Sequence, residues 1–138
     1  MSLNVPFQVL DFPFFEDERG QTVPIEFDDT FPFVPKRTYF VTGNGQMIRG
    51  GHAHLVEAEV FAVTSGTVTA VLHDGENEME IVLDAKNKGL FVDKMVWHEF
   101  KDFSEDAVMV CFSSTHYMPG EINYIMDKQE FLTQKQDG

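Results

Sequence analysis

The sequence predicts an all-β domain, a sandwich or barrel, with a short helix confined to the C-terminal end. Three observations carry this. Runs of four to seven residues rich in Val, Ile, Phe and Tyr recur along the chain, punctuated by Gly, Asn, Asp and Pro. Several runs alternate apolar and polar residues with the period of two that a half-buried strand requires. The intervals between them leave no room for βαβ crossovers. With 138 residues the chain is expected to form one domain over 1–138, large enough to bury most of its apolar surface without staples.

The elements follow in order. Phe7 to Phe12 reads as a first strand, and Asp17 to Gly20 as a turn in which Gly20 is free to take positive φ. Thr22 to Phe27 is a short strand whose Pro24 suits an edge, or a crossing to another subunit. Phe31 to Pro35 is a proline-bounded loop, Lys36 to Val41 a strand, and Gly43-Asn-Gly45 a turn. Val60 to Val63 leads to a turn at Ser65-Gly66, after which Val68, Ala70 and Leu72 alternate with polar neighbours. Asp74-Gly75 signals a hairpin, and Met79, Ile81 and Leu83 point to one face beyond it. Leu90 to Val92, Val96 to Phe100 and the apolar run Ala107 to Phe112 complete the strands. A helix is confined to about Glu121 to Lys135.

Composition narrows the function. The 23 acidic against 10 basic residues give a formal charge of -13, which argues against DNA or RNA as a partner. An anionic small ligand would need local positive charge, for which Arg19, Lys36, Arg37 and Arg49 are the candidates. The single cysteine, Cys111, excludes an intrachain disulfide and gives no sign of a zinc–thiolate site, which fits a reducing compartment. No run approaches the roughly 20 apolar residues of a membrane span, and no secretory pattern opens the chain. A soluble, cytoplasmic protein without a membrane partner is expected.

The chemistry concentrates between Arg49 and Gly66. His52 and His54 are two apart, so on a strand both imidazoles leave one face. Glu59 lies at an odd offset from His54, so a bend or bulge must bring it to that face, with Gly66 ending the next strand. Three polar side chains aimed at an inner face are costly in a merely structural strand. The residues alone leave open whether they bind a metal, move a proton or do neither. A second constellation runs from Gly89 to His98. His73 and His116 read as structural or surface residues.

This pattern resembles the cupin superfamily, whose members are small double-stranded β-helix jelly rolls. Its first motif, H-x-H, a short gap, Glu, six residues and Gly, is matched by His52, His54, Glu59 and Gly66. Its second is matched from Gly89 to His98, with Lys94 and Trp97 near the usual proline and glycine. A closer resemblance covers nearly the whole chain. Lys36-Arg-Thr-Tyr39, Arg49-Gly-Gly-His-Ala-His54, Val96-Trp-His-Glu99, Asp102 to Asp106 and Asn123-Tyr-Ile125 look like the sugar 3,4-ketoisomerases acting on dTDP-4-keto-6-deoxyglucose, the WxcM-like C-terminal group of the RmlC-like cupins.

The resemblance implies a metal-free isomerase of deoxysugar and surface-polysaccharide biosynthesis that takes a dTDP-linked keto sugar and works through an enediol(ate). It is expected to be a homodimer exchanging N-terminal strands, about residues 5–28. It makes His54 the base at C3, His52 the partner that protonates C4 or polarises an oxygen, and Tyr39 a third proton donor. Arg49 would neutralise an enediolate or a phosphate, Arg19 and Arg37 would hold the pyrophosphate, and Trp97 would stack on thymine. His98 would line the pocket, and Glu59 would bond a sugar hydroxyl or orient His54.

Two departures open alternatives. Glu59 stands where the family usually has glutamine, restoring the His52, His54, Glu59 and His98 set of a metallo-cupin, with a divalent metal ion and oxygenase chemistry. Met126 stands near a usual arginine, which alters the phosphate contacts. A non-catalytic sugar-nucleotide-binding domain is the third reading.

Overall fold

The computed structural model describes residues 5–137; residues 1–4 and 138 of the expected domain lie outside the described residues. Its strands are β1 (Phe7–Asp11), β2 (Phe15–Asp17), β3 (Gly20–Thr22), β4 (Arg37–Val41), β5 (Arg49–His54), β6 (Glu59–Ser65), β7 (Val68–His73), β8 (Glu78–Leu83), β9 (Lys88–Val92), β10 (Trp97–Lys101), β11 (Val108–Ser113) and β12 (Tyr124–Ile125). A 3₁₀ turn at Gly120–Ile122 and one helix, α1 (Lys128–Asp137), complete the chain. Two five-stranded antiparallel sheets, β1-β9-β6-β11-β4 and β12-β5-β10-β7-β8, face each other, and β2-β3 is a separate hairpin. This is the all-β cupin jelly roll with a short C-terminal helix that the sequence predicts.

The pleat sorts side chains into three apolar clusters. Phe61 and Val63 of β6, Leu72 of β7, Leu90 of β9, Phe100 of β10 and Met109 and Cys111 of β11 fill the space between the sheets. The alternate residues Val60, Ala62, Phe91, Val110 and Phe112 cover the outside of the first sheet and pack against Phe31, Phe33 and Ile25. On the outside of the second sheet, Ala53, Trp97 and Ile125 pack around Phe131 of α1, which is fully buried. Because successive residues of a strand alternate in direction, any inward position also fixes its neighbours outward.

Two elements differ from expectation. The strand expected over Thr22 to Phe27 is limited to Gly20–Thr22, paired with Phe15–Asp17. Beyond Thr22 the chain leaves the hairpin at Pro24, which has no N–H for a ladder, and lays Ile25 on the first sheet. The tail is helical only from Lys128. Before it, Tyr124 and Ile125 pair with His54 and Ala53, extending the second sheet by one strand.

Gly66 ends β6 as the motif predicts. It has φ +70°, and a Cβ there would lie 2.3 Å from Ser104 Oγ and 2.6 Å from Ala107 Cα. Gly66→Ala is expected to destabilise the fold by more than about 1 kcal/mol through a left-handed backbone and a clash with main chain. A lowered denaturation midpoint with an unchanged slope would show it.

Candidate active site at the barrel mouth

A cavity of about 370 Å³ opens between the sheets, lined by Arg37, Thr38, Tyr39, His52, His54, Glu59, Tyr117 and Tyr124. A smaller space of about 130 Å³, sharing Tyr39, His52 and Glu59, is also lined by Arg49, His98 and Cys111. Strand parity supplies most of this lining. Arg37, Tyr39 and Val41 share one face of β4, Glu59 and Phe61 one face of β6, and His98 and Phe100 one face of β10.

On β5 parity alone would fail, because Arg49 and His52 are three apart. Opposite β10, His52 pairs with His98, Gly50 with Glu99 and Arg49 with Phe100, so the chain inserts an extra residue at Gly51. Gly50 and Gly51 have φ +79° and +82°, conformations open to glycine. This bulge returns Arg49 to the cavity side. Glu59 reaches the same side through the expected bend rather than a bulge. Residues 55–58 carry the chain from the second sheet to the first, and Glu59 enters facing inward.

His54 is buried between two carboxylates. Its Nδ1 lies 3.0 Å from Glu57 Oε1, and its Nε2 lies 3.0 Å from Glu59 Oε1. The latter contact lies off the line of a good hydrogen bond, so Nε2 keeps no hydrogen-bond partner among the described residues. Burial opposes a charge on the ring, but the two carboxylates outweigh it and raise the His54 pKa to about 9. The His52 ring sits 4.9 Å away, edge-on to His54. Burial, reinforced by the cationic neighbour, lowers its pKa to about 4.

The ring of His98 is stacked 5.2 Å from that of His54. Its Nδ1 is 3.0 Å from the Val96 carbonyl, an acceptor only, so Nδ1 carries the proton of a ring that burial keeps neutral. Tyr39 donates its phenol proton to Glu59 Oε2 in a short hydrogen bond. Burial and the nearby carboxylates hold that phenol protonated. Arg37 spans the rim, 5.3 Å over the Tyr39 ring and 5.7 Å over that of Tyr117, with one guanidinium nitrogen 2.8 Å from Glu57.

The structure therefore gathers His52, His54, Tyr39, Arg37, Arg49, Glu59 and His98. It does not gather two other expected residues. Trp97 faces away from the cavity, packed on Phe131, with its indole N–H donated to Glu99. Since His98 points inward, the pleat must send Trp97 outward, so within this chain it is not placed to stack on a base. Arg19 lies exposed at the tip of the β2-β3 hairpin and is paired with Asp17, apart from the cavity. His73 is structural: its Nδ1 accepts the Gly75 N–H at 3.0 Å.

Sequence reasoning misses three residues. Glu57 and Asn123 are buried against His54, and Ser113 is buried against Glu57. Asn123 belongs to the quoted Asn-Tyr-Ile block, whereas Glu57 lies between strands, where no periodicity marks it. The four-residue metal set also divides. Two donor groups converge among the described residues, His52 with His54 and His98, and His54 with Glu57 and Glu59, each within 4.8 Å. Glu59 thus converges with the second group while Tyr39 holds its other oxygen. Both groups, of imidazole nitrogens and of imidazole with carboxylate oxygens, have donor chemistry that suits a divalent cation.

The family model FdtA, described as WxcM-like, C-terminal, matches residues 6–136. The TDP-4-oxo-6-deoxy-alpha-D-glucose-3,4-oxoisomerase of Aneurinibacillus thermoaerophilus is 38% identical over 125 residues, 90% of this chain and 88% of that protein. The chain belongs to this sugar 3,4-ketoisomerase family. A 3,4-ketoisomerase from Helicobacter canadensis is 34% identical with a TM-score of 0.87, covering 95% of this chain and 98% of its own. A double variant of the QdtA 3,4-ketoisomerase from Thermoanaerobacterium thermosaccharolyticum, solved with TDP, is 29% identical with a TM-score of 0.90, covering 98% and 97%.

Cys111, beside Tyr39 and Glu59, is fully buried, and burial pushes its thiol well above the ordinary range. It is expected to resist alkylation at pH 8 in the folded protein and to react on unfolding. Mass-spectrometric counting of modified thiols with and without denaturant checks this.

Proposed function

We propose that this chain converts a dTDP-4-keto-6-deoxyhexose into its 3-keto isomer without a metal, by proton transfer through an enediol(ate). The observation that carries this reading is the adjacency of two imidazoles with opposite protonation preferences on one cavity wall. The isomerisation removes protons from C3 and O3 and adds them at C4 and O4, so it needs a base and an acid together and no redox cofactor. Resemblance to the family gave the base role to His54, but the geometry favours the reverse division. His52, neutral and facing the cavity, takes the C3 proton. His54, held cationic, offers Nε2–H to the oxygen on which negative charge develops. Tyr39, protonated and facing the same cavity, is the donor left for C4.

The polar wall suits an anionic, oxygen-rich ligand. Arg37 Nε is a buried donor without a hydrogen-bond partner among the described residues, a situation costing about 1–3 kcal/mol that a ligand oxygen would relieve. Arg37 and Arg49 supply the positive charge beside the cavity that the acidic chain otherwise lacks. Relatives support the ligand class: the QdtA enzyme has been solved with TDP and, as a variant, with TDP-4-keto-6-deoxyglucose.

A second reading, favoured by the convergence of the three imidazoles, makes His52, His54 and His98 ligands of a divalent cation, with Glu59 approaching from His54. One experiment separates the two. Metal-stripped protein incubated with dTDP-4-keto-6-deoxyglucose in D₂O is expected to exchange the C3 hydrogen and form the 3-keto product. His52→Asn is expected to slow exchange by about 10²- to 10⁴-fold. Activity that appears only when a divalent metal is restored, and is lost in Glu59→Gln, would instead support the cation site. Folded wild-type protein that shows no exchange under either condition would exclude the isomerase.

The pH dependence has a defined sign. The base must be neutral and the acid protonated, so kcat/KM should rise as His52 loses its proton, near pH 4, and fall as His54 loses its own, near pH 9. A profile that instead rises through pH 9 would assign the base to His54.

We extend the reading to a homodimer formed through the N-terminal region, residues 5–28. Phe15, Phe27, Val34 and Phe40 are exposed, an apolar surface a partner would cover. Arg19, distant from the cavity of its own chain, would reach a site only across such a pairing. Light scattering during size exclusion should give twice the 15.8 kDa chain mass, and a monomeric mass with full activity would remove the proposal.

A further inference from the structure

We infer that Glu57 is a positioning residue for the proton-transfer chemistry, holding His54 through Nδ1 so that Nε2–H is presented to the cavity, and that Asn123 locks this contact from the C-terminal segment. The inference rests on the ketoisomerase reading of the site. Glu57 is 1% exposed, yet its carboxylate has a donor for each lone-pair position. Asn123 Nδ2 approaches Oε1 at 2.7 Å and His54 Nδ1 approaches it at 3.0 Å. Arg37 reaches Oε2 at 2.8 Å, and the Ser113 hydroxyl donates to the same oxygen.

The local chemistry fixes the proton on His54. Asn123 Nδ2 is also 2.9 Å from His54 Nδ1, so two nitrogens and one carboxylate oxygen form a tight triangle. A bare Nδ1 could accept an Asn123 N–H at 2.9 Å, but its lone pair would then face the carboxylate oxygen at 3.0 Å. With the proton on Nδ1, both nitrogens donate to Oε1 and the ring forms the ion pair with Glu57. A carboxylate at this position therefore selects the ring state that carries its other proton at Nε2 when charged, toward Glu59 and the cavity. A mere counter-ion to Arg37 would need only Oε2, whereas Glu57 spends its other oxygen on the histidine.

Asn123 holds the geometry from outside the barrel strands. Its Oδ1 accepts the Val56 N–H at 3.3 Å and its carbonyl accepts the Leu55 N–H at 2.6 Å, tying the C-terminal segment to the loop that carries Glu57. The next residue, Tyr124, pairs with His54 and packs its ring 4.8 Å from both His52 and His54.

The triangle supplies its own test. Since Asn123 Nδ2 is as close to His54 Nδ1 as Glu57 is, moving the carboxylate to position 123 should restore the contact. In Glu57→Gln, kcat is expected to fall by about 10²-fold while KM for the dTDP-keto sugar stays within about threefold. In the double variant Glu57→Gln with Asn123→Asp, which exchanges amide and acid and leaves the net charge unchanged, kcat should recover at least about tenfold. A kcat for Glu57→Gln within about threefold of wild type, or a double variant no better than the single, overturns the inference. A second measurement needs no variant: ¹⁵N-histidine correlation spectra of the wild-type protein at neutral pH should show His54 Nδ1 bearing a proton, and an unprotonated Nδ1 overturns the inference. If the wild-type protein proves inactive on the sugar, the ketoisomerase reading fails, and the same spectra still decide whether Glu57 holds the Nδ1 proton.

Discussion

The buried contact between His54 and its two carboxylates constrains the rest of the site. A carboxylate removed from water must have its lone pairs filled or it will not stay charged. Glu57 is filled from three directions: Arg37 on β4, Ser113 at the end of β11, and Asn123 beyond the last barrel strand. These lie far apart in sequence and meet only when both sheets have formed and the C-terminal segment has docked. The charge on His54 then acts on its neighbour. The imidazole 4.9 Å away is held neutral first by its own burial and then by the same cation, so the acids around His54 reinforce the state of His52.

Much of this architecture was legible in the chain because strands obey a two-residue period. Phe61 and Val63 facing the interior, and Val60 and Ala62 facing outward, follow from alternation alone. His52 and His54 share a face for the same reason. The period also contained information that the family resemblance overrode: with His98 inside, Trp97 could not also line the cavity, and its apolar ring went to cover Phe131 instead. Arg49 is the converse case. Its offset from His52 has the wrong parity, and only the consecutive glycines before His52 signal the inserted residue that corrects it.

Glu57 and Asn123 were not legible, for a physical reason. Both lie outside the long strands, where side-chain direction follows no repeat, and apart from the His54–Glu57 contact their side-chain partners are 20 to 69 residues away in the chain. The tail shows the same limit. Residues from Glu121 onward have the composition of a helix, but pairing of Tyr124 and Ile125 with β5 takes precedence, because it extends a sheet already formed and buries Ile125. Local propensity decides only what tertiary contacts leave undecided, and the helix therefore begins at Lys128.

The identity of residue 59 matters less than its direction. A carboxylate beside histidines has the chemistry of a metal ligand, and a carboxylate on Nδ1 orients a metal-binding histidine as readily as a catalytic one. The Glu57 contact therefore suits either chemistry at Nε2, where a cation and a proton would compete for the same lone pair. Glu59 Oε2 accepts the Tyr39 phenol and its Oε1 lies against His54. Directed this way, the carboxylate supports the positive charge on His54. It also ties the phenol, the remaining proton donor of the cavity, to the charge that the proposed reaction uses.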